Sequence, residues 1–388
     1  MRFTHELSNI AESPMVQIAT AAEAMPGSLK LCYGESDLPT PAFICEAADA
    51  ALKAGHTFYT HTAGYLELRE AVAQKIHQLH GVGYCPTEIM STVGASMAIY
   101  AAIRAFVSRG DNAVIVSPTY AIFTNGVIMA GGDPRPVPLA RDGGGFRLDL
   151  DRVRAAIDGN TRMIIINSPS NPTGWMISVE EQRALLELAA QHDLVILADE
   201  VYERLVYQDD LTAAPSFARV AGNRDRLIVV NSFSKTYNMT GWRLGWAQAS
   251  EATIKTMYRA VEFMTSNPSA MVQQAGIVAL RDGEAYIAEL RRHYTERRAQ
   301  VVTALAATPG VSLPAPAGAF YAFPRIEGMT DSTAFTAALL QATGVALAPG
   351  VAFGRDGEGY IRVCFAATEA TVTTALERFH GFVTNGAS

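Results

Sequence analysis

Apolar residues along the chain gather into short unbroken runs separated by stretches with helical spacing. The runs Ala113–Val116, Met163–Ile166, Leu194–Ala198 and Leu227–Val230 are uniformly apolar and rich in Val, Ile and Leu. That is the pattern of strands buried on both faces. Between them, a helix is predicted over 42–54. A second propagates from Ala98 with Ile99, Ile103 and Phe106 on one face. A third covers Val179–Gln191 and is started by a capping box at Ser178–Glu181. Strands alternating with helices predict an α/β fold, a mainly parallel sheet flanked by helices on both faces. Near the N-terminus, Met15–Met25 reads as a helix ended by Pro26-Gly27, and Leu31–Pro41 as a short strand running into a turn-rich loop. Past Trp246 the pattern is mostly helical to about Val302, interrupted at Thr265–Pro268. Pro316–Phe323, Val345–Gly350 and Tyr360–Phe365 then read as strands of a smaller α+β domain. The expected division is a large domain over 45–285 and a small one built from both termini, 1–44 and 286–388.

Composition narrows the class. With 388 residues, 49% hydrophobic and 18% charged, the chain can build more than one core. A formal charge of −7 without a Lys/Arg run argues against a nucleic-acid surface. Cys32, Cys45, Cys85 and Cys364 are scattered with no C-x-x-C pair, as reduced thiols are. Met1–Leu7 has no apolar core of signal-peptide type, and no apolar run reaches membrane-spanning length, so a cytoplasmic protein is expected. The eight histidines form no H-E-x-x-H or clustered Cys/His pattern, and no metal site is expected.

Candidate chemistry sits where the strands end. Leu227–Val230 runs into Asn231–Trp246, which carries Ser232, Ser234, Lys235 and Arg243. A lysine beside a core strand is costly unless it is paired or its pKa falls, and a lysine with a depressed pKa is a nucleophile. Hydroxyls and an arginine nearby are what a phosphate dianion needs. Together they suggest pyridoxal 5′-phosphate held by Lys235 as a Schiff base. Gly94 starts a helix whose Ala95 and Ser96 N–H groups favour an anion, a second half of the same cradle. Asp199 ends an apolar run and must meet a cation or bear a desolvation cost. A pyridinium N–H is such a cation, and Tyr202 lies within reach of the same ring's phenolic oxygen. Tyr120, just past a strand, can stack on a planar ring. Asn171-Pro-Thr-Gly174 makes a turn at a strand's carboxyl end, where open α/β sheets bind ligands. Arg362 lies mid-strand, on the face opposite Ile361 and Val363. Asp142–Gly145 reads as a surface loop, because no lysine or helix start follows it. Taken singly, each has an ordinary alternative: a solvated lysine, an acid capping the next helix, an arginine in a surface ion pair.

Taken in order, these segments resemble the class I/II aminotransferases of fold type I from about Leu31 to Phe379. The Asn231–Trp246 stretch matches their cofactor-lysine segment, and Asn171–Gly174 and Asp199–Tyr202 match two further signatures. The resemblance implies transfer of an amino group from an L-amino acid to a 2-oxo acid. In it, Lys235 is the base, Asp199 the partner of the ring nitrogen, and Asn171 and Tyr202 the partners of the phenolic oxygen. Tyr120 stacks on the ring, while Gly94, Ala95, Ser96, Ser232, Ser234 and Arg243 hold the phosphate. Gly34 contributes backbone contact to substrate, and Arg362 grips the substrate carboxylate with two prongs. Phe58–Glu70 resembles the family's Tyr-x4-Gly-x3-Leu-Arg segment, in which Tyr59 serves the phosphate of a neighbouring subunit, so a homodimer is implied. In aspartate-preferring relatives a lysine often stands in the place of Met97, or a neighbouring subunit's arginine near that of Glu262. Neither cation is evident here, which favours apolar or aromatic donors with 2-oxoglutarate or pyruvate as acceptor. A carbon–sulfur lyase on the same fold, and a non-catalytic regulator retaining it, are the alternatives.

Overall fold

The computed structural model describes residues 3–142, 145–222 and 224–385. Its centre is a seven-stranded sheet of β1 (Ile89–Thr92), β2 (Asn112–Ser117), β3 (Asp133–Pro138), β4 (Thr161–Asn167), β5 (Val195–Asp199), β6 (Leu227–Ser232) and β7 (Gly245–Gln248), in the order β1-β7-β6-β5-β4-β2-β3. Every pairing is parallel except those of β7, which runs antiparallel to β1 and β6.

The uniform apolar runs divide by the two-residue strand period. Ile164 and Ile166 pack with Val114, Val116, Ile196 and Val229 on one face, beneath Leu185 and Leu188 of the helix Val179–Gln191. Met163 and Ile165 pack with Ala113, Ile115, Leu197 and Ile228 on the other. There they meet Ala98, Ile99 and Ile103 of the helix Gly94–Phe106 and Ile254 and Met257 of Glu251–Met264. Burying one such aliphatic side chain contributes roughly 1.5–3 kcal/mol, so both faces need cover. The predicted capping box is present: Glu181 N–H donates to Ser178 Oγ at 3.1 Å, and Ser178 N–H to Glu181 Oε2 at 2.9 Å.

A further core cluster lies under the helices Glu284–Ala306 and Glu369–Thr384, where Tyr294, Phe320, Phe365 and Phe379 are buried together. Its ladders are short. Leu29–Lys30 pairs with Val345–Ala346, and Ile361–Cys364 is flanked by Tyr321–Ala322 and Ala348–Pro349.

Several expectations are corrected. Pro316–Phe323 is strand only at 321–322, with an isolated bridge from Gly318 to Val206, and Val345–Gly350 only at 345–346 and 348–349, Gly350 opening a short 3-10 turn. Two-residue ladders leave apolar loops that read like strands because the surrounding core buries them all the same. The first paired residues are Leu29–Lys30, ahead of Leu31. β7 takes in Trp246 and runs on to Gln248, where the helical region was expected to begin, and β3 is a strand that the sequence reading did not include. Its prolines at 134, 136 and 138 argue against a strand, but β3 sits at the sheet edge, where a missing N–H is tolerated. Of the loop read at Asp142–Gly145, residues 143 and 144 lie outside the described residues. Among the described residues, no helix is long and apolar enough to cross a membrane.

Candidate active site

Strand register brings the predicted chemistry to one edge. Asn167 pairs with Asp199 at the carboxyl ends of β4 and β5, and Gly245 lies between Ser232 of β6 and Thr92 of β1. Past that edge opens a cavity of about 340 Å³. Gly34, Ala95, Ser96, Tyr120, Asn171, Asp199, Tyr202, Ser232, Ser234, Lys235, Arg243 and Arg362 all line it. Gly94, at φ 73°, backs directly onto the Arg243 guanidinium, where a Cβ would collide. Tyr59 does not line the cavity and stands 90% exposed.

Lys235 sits in a single helical turn, Phe233–Thr236, which Ser232 caps by accepting from Ser234 N–H at 3.1 Å. The Ser232 hydroxyl is also engaged with Ser234 Oγ at 2.9 Å and the Leu244 carbonyl at 3.2 Å. It therefore shapes the turn that aims the lysine. Lys235 Nζ donates to the Gly34 carbonyl at 2.6 Å, and burial pulls its pKa down to about 8. Asp199 is 6% exposed, and burial pushes its carboxyl up to about 7 against the opposing pull of Val201 N–H and the Lys235 charge. No helix follows Asp199 for it to cap. A buried acid and a buried amine in one cavity, each shifted by burial away from its ordinary pKa, mark a candidate functional site.

The anion corner is open. The thirteen-residue helix Gly94–Phe106 begins after Val93, which supplies no side-chain cap, and its first-turn residues Ala95 and Ser96 line the cavity, where a helix start favours an anion. Arg243 adopts the left-handed conformation at φ 53° and donates from Nη1 to the Thr240 carbonyl at 2.9 Å. Opposite, Arg362 is 1% exposed. Its Nη1 donates to Asn171 Oδ1 at 2.9 Å, its Nη2 donates to the Cys32 carbonyl, and its buried Nε has no hydrogen-bond partner among the described residues. Among the described residues no carboxylate is paired with this buried guanidinium, which suits it to an anionic ligand. The cavity thus offers two cationic corners, an acid on its floor and an amine between them, a donor set that fits a phosphorylated pyridine aldehyde.

Sequence reasoning missed several cavity residues. Asn167 accepts from Asn171 N–H at 2.7 Å and donates to the Asp199 carbonyl at 3.1 Å, fixing two site loops to each other. Tyr321 bonds Tyr202, hydroxyl to hydroxyl, at 2.8 Å. Met15, Tyr33, Glu35 and Ile122 also line the cavity, as do Ile99, Val201 and Thr240. Asn167 was findable as a polar residue ending an apolar strand, whereas the others gave no local signal.

Comparison with known proteins agrees with this geometry. Residues 26–379 match the family described as aminotransferase class I and II. An aspartate aminotransferase of Pyrococcus horikoshii is 37% identical over 95% of this chain and 94% of its own. Aromatic-amino-acid aminotransferase 2 of Thermococcus litoralis is 37% identical over 97% of each chain. Among solved structures, the aspartate aminotransferase of Rhizobium meliloti superposes with a TM-score of 0.93 at 33% identity, covering 99% of both chains. With a lysine, an acid and two arginines around one cavity at the edge of this sheet, the chain belongs to the class I and II aminotransferases and is an enzyme of amino-group transfer.

Proposed function

We propose that this aminotransferase carries pyridoxal 5′-phosphate on Lys235 and takes L-amino acids with apolar or aromatic side chains, passing their amino group to a 2-oxo acid. The observation that carries the reading is one cavity that gathers Lys235, its pKa drawn down by burial to about 8, Asp199, its carboxyl pushed up to about 7, and the buried Arg362. When bound, the cofactor supplies an electron-withdrawing ring that stabilises negative charge at the substrate Cα. Lys235 would hold the cofactor, and its amine is the base that would take the proton from the substrate Cα. Asp199 keeps a proton on the ring nitrogen. The Asn171 carbonyl oxygen is already taken by Arg362, so its amide nitrogen is the end left to donate to the phenolic oxygen, beside Tyr202. Arg243, Ser96, Ser234 and the Ala95 and Ser96 N–H groups hold the phosphate, with Ser232 supporting their turn. Tyr120 stacks on the ring, and Arg362 takes the substrate carboxylate alongside Gly34.

Charge inventory favours the apolar donor. The cavity's cations are Lys235, Arg243 and Arg362, and each has a task already; its other ionisable carboxyls are Asp199, assigned to the ring nitrogen, and Glu35, also an acid. Met97 packs against the core and adds no cation. Met15, Tyr33, Ile99 and Ile122 furnish apolar wall. In a half-reaction screen of the loaded enzyme, phenylalanine, leucine and methionine should exceed aspartate in kcat/KM by roughly tenfold or more, the worth of one unmatched charge at about 1.4 kcal/mol. Aspartate clearly outperforming all three would overturn the preference.

A homodimer follows from the same reading. Phe58 and Tyr59, 81% and 90% exposed, suit a partner's surface, with Tyr59 serving the neighbour's phosphate. The two sets of cores support a large unit over 45–285 and a small one from 1–44 and 286–388. The four unpaired cysteines agree with a cytoplasmic setting.

A further inference from the structure

Tyr321 is fully buried yet lines the cavity, and it touches three groups that the chemistry needs. Its hydroxyl lies 2.8 Å from that of Tyr202, the two rings meeting edge-on with centroids 5.6 Å apart. The Arg362 guanidinium carbon stands 4.5 Å from the centre of the Tyr321 ring and 4.8 Å from that of Phe353. A Cβ on Gly34 would come within 2.5 Å of the Tyr321 hydroxyl oxygen, so the bare glycine is what lets that hydroxyl reach Tyr202. Gly34 in turn accepts the Lys235 amine.

Proton inventory gives the pair a direction. A tyrosine hydroxyl has one proton to give and accepts through its lone pairs, while a guanidinium only donates. If Tyr202 gave its proton to Tyr321, it would have none for a ligand in the cavity. If Tyr321 donates, its own proton is satisfied and that of Tyr202 stays free. Burial pushes both phenols well above their ordinary range, so neither gives up its proton as a charge. Each hydrogen bond in such a chain polarises the next.

We propose that Tyr321 is a positioning residue with two ends: its hydroxyl donates to Tyr202 and so commits the Tyr202 proton to the cofactor's phenolic oxygen, while its ring is the platform that holds Arg362 for the substrate carboxylate. This rests on the cofactor reading above. The two ends separate by substitution. Tyr321→Phe keeps the ring and loses the donor. In the loaded enzyme, the pH midpoint of the visible absorbance band should rise by about half a unit to one unit, because a weaker Tyr202 donor leaves the phenolic oxygen more basic. The amino-acid KM should stay within about twofold. Tyr321→Leu loses both ends, and its KM should rise a further fivefold to tenfold or so, the range of a desolvated cation–π contact.

The test is a spectral pH titration and steady-state kinetics on holoenzyme of wild type, Tyr321→Phe, Tyr321→Leu, Tyr202→Phe and the double Phe variant. The double variant should shift the midpoint no further than Tyr202→Phe alone, since the Tyr321 hydroxyl acts through Tyr202. An unmoved midpoint in Tyr321→Phe, or additive shifts in the double variant, overturns the hydroxyl role. An unchanged KM in Tyr321→Leu overturns the ring role, and should that variant not fold, a raised KM in Tyr321→Phe does so instead. Wild type that gains no visible band with pyridoxal 5′-phosphate overturns the cofactor reading itself, and is told apart because no variant is involved.

Discussion

Lys235→Ala is expected to lower turnover by about 10⁴-fold or more while leaving the protein folded and, without cofactor, more stable. A positioned general base alone is worth about 10²- to 10⁴-fold, and this amine is also the cofactor's covalent holder. The expected rise in stability comes from the same burial that makes the amine reactive. Its pKa falls from 10.5 to about 8 on folding. Between those values the unfolded chain holds a proton that the folded one has released, so stability of the cofactor-free protein climbs with pH there. Below pH 8 the buried ammonium costs on the order of 3 kcal/mol, which alanine removes. Lys235→Arg should be as inactive as alanine, because a guanidinium keeps its charge and never supplies a neutral amine. Single-turnover absorbance with loaded protein and thermal melts of the unloaded forms check both halves.

Asp199→Asn is expected to cost about 10²- to 10⁴-fold in kcat, with KM changed far less. The amide has the carboxylate's shape and can still accept from Val201 N–H, a bond of 3.2 Å in the native site. It cannot carry the charge that keeps a ring nitrogen protonated. Removing one member of a buried charge pair costs about 3–5 kcal/mol, and each 1.36 kcal/mol is about tenfold in rate. Unloaded protein gives an independent readout. The Asp199 carboxyl rises from 3.8 to about 7 on folding. Between those values the folded state keeps a proton that the unfolded chain has lost, so stability falls as pH climbs through that window. Asp199→Asn should flatten this fall, and melting temperatures measured across pH 4–7 show whether it does.

Much of the sheet was legible because its chemistry is local. Uniform runs such as Met163–Ile166 are buried on both faces and need no partner to be recognised as strands. Ser178 and Glu181 announce a helix start within four residues. The site was legible for a related reason: parallel strands deliver their carboxyl ends to one edge, so Asn171, Asp199 and Lys235 were expected together once their strands were read. What could not be read depends on contacts between distant segments. Gly34 and Lys235 are 201 positions apart, and Tyr202 and Tyr321 are 119 apart, so neither hydrogen bond leaves a mark in local spacing. β3 was hidden by its prolines, whose cost vanishes only at an edge that the sequence does not reveal. The motifs did not separate the lyase alternative from the transferase well; the full-length relatives, which are aspartate and aromatic aminotransferases, favour the transferase where spacing did not.

Everything proposed for the chemistry turns on which amine meets the cofactor. Borohydride reduction of the loaded protein, followed by digestion and mass mapping, makes that attachment permanent and locates it. The account predicts the reduced pyridoxyl group on the peptide containing Lys235; an unmodified Lys235, or the group on any other lysine, would contradict it.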